Sequence, residues 1–199
     1  MRKVILLALF VACSAPAALA QDDYDKVNVF AGFSHNRVDT GVADDDPDID
    51  DILDEREGFN GFNGSVTGNV SRYVGLKGDY SFHTKTFNDA AFPGVEVRSH
   101  LHNFLGGVQF RDNAKATKVK PFAHVLAGAA HATFDVRGLA TPVDFDDSET
   151  GFAMAVGGGL DFRVSDRIDI RAVQFDYNPT RLASETQHNF RIGVGIVIK

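Results

Sequence analysis

The sequence predicts an all-β protein: a closed antiparallel up-and-down transmembrane β-barrel of eight strands. Three observations carry this. Long stretches alternate large apolar with small or polar residues at period two. The stretches are joined by short turns and long loops in alternation. Charged residues inside them fall on the face opposite the large apolar ones.

The first twenty residues stand apart. Arg2 and Lys3 give a basic start, residues 4–12 are an unbroken apolar run, and Ala18-Leu19-Ala20 is a small-x-small site. This is the pattern of a secretory signal peptide cleaved before Gln21, and the run is too short to span a bilayer as a helix. The domain division is therefore 1–20 signal peptide and 21–199 barrel. The one cysteine, Cys13, lies inside the signal segment. A lipoprotein reading would cleave before it, but Phe10 stands where Leu is usual and the downstream site competes. Ordinary cleavage leaves a mature chain without disulfides, held by backbone pairing and burial.

Beyond residue 20 no apolar stretch approaches the ~20 residues of a transmembrane helix. A barrel strand needs only ~9–11, showing lipid every second residue. The first strand, 26–34, puts Val27, Val29, Ala31 and Phe33 on one side with Phe30 on the other. The second sets Gly64, Val66, Gly68 and Val70 against Ser65, Thr67, Asn69 and Ser71. The third, 74–84, sets Val74, Leu76, Gly78, Tyr80 and Phe82 against Gly75, Lys77, Asp79, Ser81 and His83. In the fourth, 95–110, the phase is ambiguous between Leu101/Leu105 and Phe104/Val108/Phe110.

The fifth, 121–135, is rich in Ala and Gly, with neither face clearly apolar. The sixth sets Phe152, Met154, Val156, Gly158, Leu160, Phe162 and Val164 against Ala153, Ala155, Gly157, Gly159, Asp161 and Arg163. In the seventh, Ile168, Ile170 and Ala172 share a face, and Phe175 and Tyr177 fall out of phase, which signals a bulge. The eighth sets Phe190, Ile192, Val194, Ile196 and Ile198 against Arg191, Gly193, Gly195, Val197 and Lys199.

Short connections are expected at 72–73, 112–118 and 165–166, and long ones at 37–58, 85–94, 137–150 and 178–188. The first long one is strongly acidic. Residues 39–57 hold ten Asp and Glu (39, 44, 45, 46, 48, 50, 51, 54, 55, 57) against Arg56. The chain's net charge is −7 and Arg2 and Lys3 lie in the signal segment, so the rest of the mature chain is neutral. Nucleic acid is not an expected partner, because no basic footprint exists.

Arg or Lys on a lipid face near the midplane costs roughly 2–4 kcal/mol. The ionised face must therefore be enclosed. Lys77, Asp79, Asp161, Arg163, Asp169, Arg171 and Arg191 are the expected lumen-facing charged network. An eight-stranded interior is just wide enough for side chains to fill it. Its buried charges must pair, so salt-bridge layers and no continuous pore are expected. Gly75, Gly157, Gly159, Gly193 and Gly195 leave room for the long side chains. Phe33, Phe62, Tyr73, Phe82, Phe152 and Tyr177 are candidates for interfacial girdles, although β propensity alone would also place them there.

These residues carry a likeness. The segments starting at Gly64, Val74, Phe152, Ile170 and Phe190 resemble strands of the outer-membrane β-barrel superfamily that includes OmpA and OmpX. The resemblance covers residues 24–199. It implies an OmpA/OmpX-like eight-stranded barrel domain in a bacterial outer membrane, with outer-membrane lipid, lipopolysaccharide and the barrel assembly machinery as partners. It implies no cofactor and leaves the oligomeric state open, a monomer being expected. Two departures from the family are visible. The sequence stops at the last strand, without OmpA's peptidoglycan-binding domain, and it ends Ile-Val-Ile-Lys without the family's terminal aromatic.

Other motifs are weaker. Asp44, Asp46, Asp48 and Asp50 could offer oxygens to calcium, but lack the glycine and spacing of an EF-hand; loose magnesium or calcium bridging to lipopolysaccharide phosphates needs less. Histidines 83, 100, 102, 124, 131 and 188 invite a metal or catalytic reading, and His100 and His102 share a strand face. Ser99, His100 and His102 lie together, but no spacing marks a triad. The leading expectation is a non-enzymatic barrel with a structural or surface-contact role and at most a small-solute leak. A lipid-modifying enzyme on the same barrel is the alternative. A soluble lipocalin-like barrel, apolar face inward, is the third.

Overall fold

The protein is described by a computed structural model covering residues 24–39, 56–88, 96–137, 147–182 and 185–199. Eight strands form: β1 Val27–Asp39, β2 Arg56–Asn69, β3 Val74–Asn88, β4 Glu96–Arg111, β5 Val119–Arg137, β6 Asp147–Arg163, β7 Ile168–Leu182 and β8 Glu185–Ile198. Each pairs antiparallel with its sequence neighbour, and β8 returns to β1, closing the barrel. Closure leaves no sheet edge, as a hydrocarbon surround demands. No helix among the described residues is long and apolar enough to cross a membrane, which bears only on helices.

The orientation of the faces follows the alternation. Val29, Phe33, Phe62, Leu76, Phe104, Val125, Phe152, Phe175 and Ile196 point outward and are exposed, whereas Lys77, Asp79, Lys120, Asp161 and Arg191 are buried inside. This overturns the lipocalin-like alternative, which needs the apolar face within. On β3 the outward apolar run 74–82 covers about 26 Å of strand at ~3.3 Å per residue, or roughly 20 Å along the barrel axis at the ~35–45° tilt of membrane barrels, most of their ~25 Å apolar band.

Most of the strands are longer than the alternation suggests, chiefly at the rim carrying the long loops; β4 keeps its expected length and β5 extends at both ends. β1 and β2 pair as far as Asp39↔Arg56, and β3 and β4 as far as Asn88↔Glu96. The clearest correction is 178–188, expected as a long loop. β7 and β8 pair through Asn178↔Asn189 to Leu182↔Glu185, leaving only 183–184 between the strands. Polar outward residues masked these extensions, because beyond the lipid a strand need not be apolar on either face.

The fourth strand's phase is resolved. Leu101, Asn103, Leu105 and Gln109 are buried inside, and Phe104 and Phe110 face out. In β7 the register shifts between Arg171 and Gln174. Ala172 and Val173 both lie exposed there. That bulge restores phase, so Gln174 and Asp176 enter the lumen while Phe175 and Tyr177 reach the outer face.

Candidate functional site

The lumen holds a continuous network of ionised side chains in two layers. The midplane layer is a circuit from four strands. Asp79 and Lys77 of β3, His124 of β5, Asp176 of β7 and Arg191 of β8 meet across the barrel. Arg191 Nη1 lies 3.0 Å from Asp79 Oδ1 and its Nη2 lies 2.7 Å from Asp176 Oδ2. Asp176 Oδ1 is 2.9 Å from His124 Nε2. Lys77 Nζ is 3.3 Å from His124 Nδ1 and 3.6 Å from Asp79 Oδ2. A neutral imidazole with its proton on Nε2 accepts from the lysine at Nδ1 and turns its N–H side towards the aspartate.

The second layer lies at the rim bearing the short turns. Asp169 gathers three cations: Arg111 at 2.5 Å, Lys199 at 2.7 Å and Lys120 at 3.4 Å. Lys120 also reaches Asp25, at 3.3 Å, on the segment before β1 that pairs with the β4–β5 turn through Tyr24↔Ala114. Arg171 grips Asp161 with two hydrogen bonds, 2.8 and 3.2 Å. Its guanidinium lies between the rings of Phe30 and Phe122, 4.2 and 4.1 Å from their centroids. Such stacking suits a planar, weakly hydrated cation. Gln174 joins the layers, accepting from Arg171 at 2.7 Å and donating to Asp176 at 2.7 Å.

Glycine makes the room. A Cβ at Gly32 would overlap the Val194 carbonyl oxygen and one at Gly195 that of Ala31, each also standing 2.8 Å from the Phe30 ring. A residue with a side chain at either position would displace the ring that carries Arg171.

Towards the loop rim the lumen changes character. Ser34 Oγ and His83 Nε2 pair at 2.6 Å, and Asn103 donates to Ser81 at 3.3 Å. Beside these polar pairs the lumen is apolar, with Leu101, Leu105, Leu126 and Leu182 packed with Phe59 and small alanines.

Of the residues singled out in sequence, the structure brings Lys77, Asp79, Asp161, Asp169, Arg171 and Arg191 together inside the barrel. Arg163 is the exception. It lies at the turn rim, partly exposed and paired with Asp166 of the β6–β7 turn, because the strand ends there and the alternating face opens to solvent. Asp44, Asp46, Asp48 and Asp50 lie outside the described residues, as does the signal segment 1–20. Ser99 points into the lumen whereas His100 and His102 lie on the outer face, so strand alternation itself separates the hydroxyl from both imidazoles.

Sequence reading missed Asp25, Arg111, Lys120, Gln174 and Asp176, and named His124 only as a metal or catalytic candidate. Arg111 and Lys120 flank the β4–β5 turn in strands whose faces were ambiguous. Asp176 is readable once the bulge is placed.

The family described as outer membrane protein beta-barrel domain matches residues 5–197. The chain belongs to this family. Its barrel is similar to that of Ail, the attachment invasion locus protein of Yersinia pestis, at 18% identity over 86% of this chain and 97% of that one, with a TM-score of 0.55. Neisserial surface protein A is similar at 13% identity, covering 89% of this chain and 99% of that chain, with a TM-score of 0.62. At these identities the likeness is one of fold. Comparison with curated proteins gives no match. As a member of the outer-membrane β-barrel family, the chain is a membrane protein whose strands turn their apolar faces to lipid.

Proposed function

We propose that this outer-membrane barrel is non-enzymatic, works as a structural and surface-contact element, and is closed to bulk solute flow. The observation that supports this best is the midplane circuit, in which Arg191 spans from Asp176 to Asp79 through the middle of the lumen. A hydrated ion passing that level must separate buried pairs. Leaving a buried charge without its partner costs about 3–5 kcal/mol. The second layer, around Asp169, adds a further barrier at the turn rim. Export through the signal segment, insertion by the assembly machinery and contact with lipopolysaccharide belong to the same reading and rest on family membership. Surface contact falls to the loop rim, where the acidic segment 39–57 joins β1 to β2.

Conductance across liposome or planar bilayers tests the closure. Refolded wild-type protein should conduct at background level. Discrete, reproducible wild-type conductance steps would overturn the closed-lumen reading.

The Ser34–His83 pair has the spacing that a nucleophile and its base would use. It is enclosed, both residues being fully buried. His83 Nδ1 has no hydrogen-bond partner among the described residues to orient the ring. We read the pair as lumen packing. Lipid A from cells expressing the protein should keep its acyl pattern, and a shift in its mass spectrum that disappears in Ser34→Ala would reinstate the enzyme.

A further inference from the structure

On the outer face, β4 and β5 place His102 directly opposite His131. These are the first polar outward positions above the apolar belt, following Phe104 and Ala129 on their strands. The ring centroids are 6.3 Å apart. Both rings are held through Nδ1: Tyr80 Oη lies 3.0 Å from that of His102, and Thr150 Oγ1 lies 2.7 Å from that of His131. Each hydroxyl can accept from Nδ1–H, and in that tautomer each ring keeps an Nε2 lone pair. A ligating histidine is oriented in just this manner, with one nitrogen committed to an oxygen and the other offered to the metal.

We propose that His102 and His131 form a two-imidazole site for a divalent transition metal ion of the zinc, nickel and copper class. With nitrogen–metal distances of ~2.0–2.1 Å, two imidazoles at tetrahedral or right angles on one ion have centroids roughly 4.5–5.2 Å apart. The observed spacing is about 1 Å wider, a gap that rotation of two surface side chains can close. Imidazole ligands select this metal class over magnesium and calcium.

The surroundings define the site's strength. Phe82 packs on His102 at 4.8 Å and on His100 at 5.6 Å, walling one side. His100 is turned towards Asp135, with 3.3 Å between Nε2 and Oδ2. No group of three or more His, Cys, Asp or Glu among the described residues converges on one point. The protein therefore supplies two ligands and water completes the shell, an open site of micromolar affinity rather than a closed structural one.

The test uses untagged, refolded full-length mature barrel in detergent micelles, titrated with Cu²⁺ or Ni²⁺ by calorimetry, with copper electron paramagnetic resonance as the second readout. Wild type should bind one ion with micromolar affinity and show hyperfine coupling to two imidazole nitrogens. His102→Gln and His131→Gln should each weaken binding at least tenfold. Tyr80→Phe, which keeps both ligands, should weaken it by about tenfold or more. His188→Gln, a rim histidine elsewhere, should bind as wild type. Heat-modifiable gel migration verifies that each variant is folded; His131 is only half-buried and its replacement should be tolerated. Absence of saturable binding by wild type, or unchanged affinity in folded His102→Gln or His131→Gln, would overturn the proposal.

Discussion

Arg191 on β8 and Asp79 on β3 are three strand pairings apart around the barrel, yet their side chains meet at 3.0 Å through its centre. The lumen is cross-braced by charge where a soluble barrel would use packed hydrocarbon. Removing the brace leaves two carboxylates facing each other. Arg191→Leu should destabilise the barrel by about 3–5 kcal/mol, the cost of orphaning a buried charge. Lys77→Leu should cost less, because Asp79 keeps Arg191 and the 3.0 Å hydrogen bond from Asn63. Urea unfolding in micelles measures both. Equal stability of Arg191→Leu and wild type would show that the circuit contributes nothing.

Replacing both partners should behave differently from replacing one. Asp79→Leu combined with Arg191→Leu removes the mutual attraction together with both desolvation penalties, although Asp176 still loses its arginine. The double variant should therefore be less destabilised than the sum of the two single ones, with a coupling of about 1–3 kcal/mol. Strict additivity would mean that the two residues do not interact in the folded barrel.

Glycines on the two faces of the wall should respond in opposite ways. At Gly78, on the lipid side, an added Cβ meets nothing within 4 Å. Gly78→Ala should be neutral or slightly stabilising, since it restricts the unfolded chain. Gly195→Ala pushes a methyl into the Ala31 carbonyl oxygen and to 2.8 Å from the Phe30 ring, which strains the β1–β8 pairing as well as the stack on Arg171, and should cost about 1–3 kcal/mol. Matched urea midpoints for the two variants would contradict the face assignment.

How much of this was legible in sequence depends on which physical constraint each residue obeys. Phe190 to Ile198 and Val74 to Phe82 are pinned by hydrocarbon outside and charge inside, so their alternation is clean and their faces were readable. Leu101, Leu105 and Leu126 obey neither rule. They form an apolar cluster inside the lumen, where packing tolerates either character, and period-two reasoning had nothing to phase on. The circuit was half visible: Lys77, Asp79 and Arg191 lie on clean strands. His124 sits on the unphased fifth strand, and Asp176 lies beyond a bulge. Pairings such as Ser34 with His83 join strands distant in sequence, and only closure of the barrel brings them together.

The turn rim carries a pH-dependent contact outside the membrane. Arg72 grips Asp112 through two hydrogen bonds, 2.8 and 3.0 Å. Thr117 adds one at 2.9 Å. The guanidinium holds the Asp112 carboxyl well below the usual carboxylate range, assisted by the amide of Ala114 and the Thr117 hydroxyl. A lowered folded pKa means the unfolded chain takes up the proton first. The contribution is complete above the ordinary carboxylate pKa of about 3.9, and is lost as pH falls below it towards the folded value. Arg72 is half exposed, so the pair is worth no more than about 1 kcal/mol. Arg72→Ala should lower stability by that amount at pH 7, with the difference from wild type shrinking in strong acid. A difference that grew on acidification would reverse the assignment.

Asp169 should be the most sensitive carboxylate of the turn-rim layer. It is fully buried and serves Arg111, Lys120 and Lys199 together. Asp169→Asn keeps the shape and removes the charge, leaving three cations with Asp25 and Asp161 to neutralise them. Asp25 already shares Lys120 and Lys199, and Asp161 is already gripped by Arg171. The repulsion left at Asp169 should cost about 3–5 kcal/mol. Lys199→Met should cost much less, because it withdraws one of the three cations from the least enclosed position of the layer and leaves Asp169 two partners. Combining Asp169→Asn with Lys199→Met should recover part of the loss by reducing the uncompensated positive charge. Urea midpoints of the three variants would check the order. A double variant less stable than Asp169→Asn alone would show that Lys199 stabilises the turn-rim layer through packing and not through its charge.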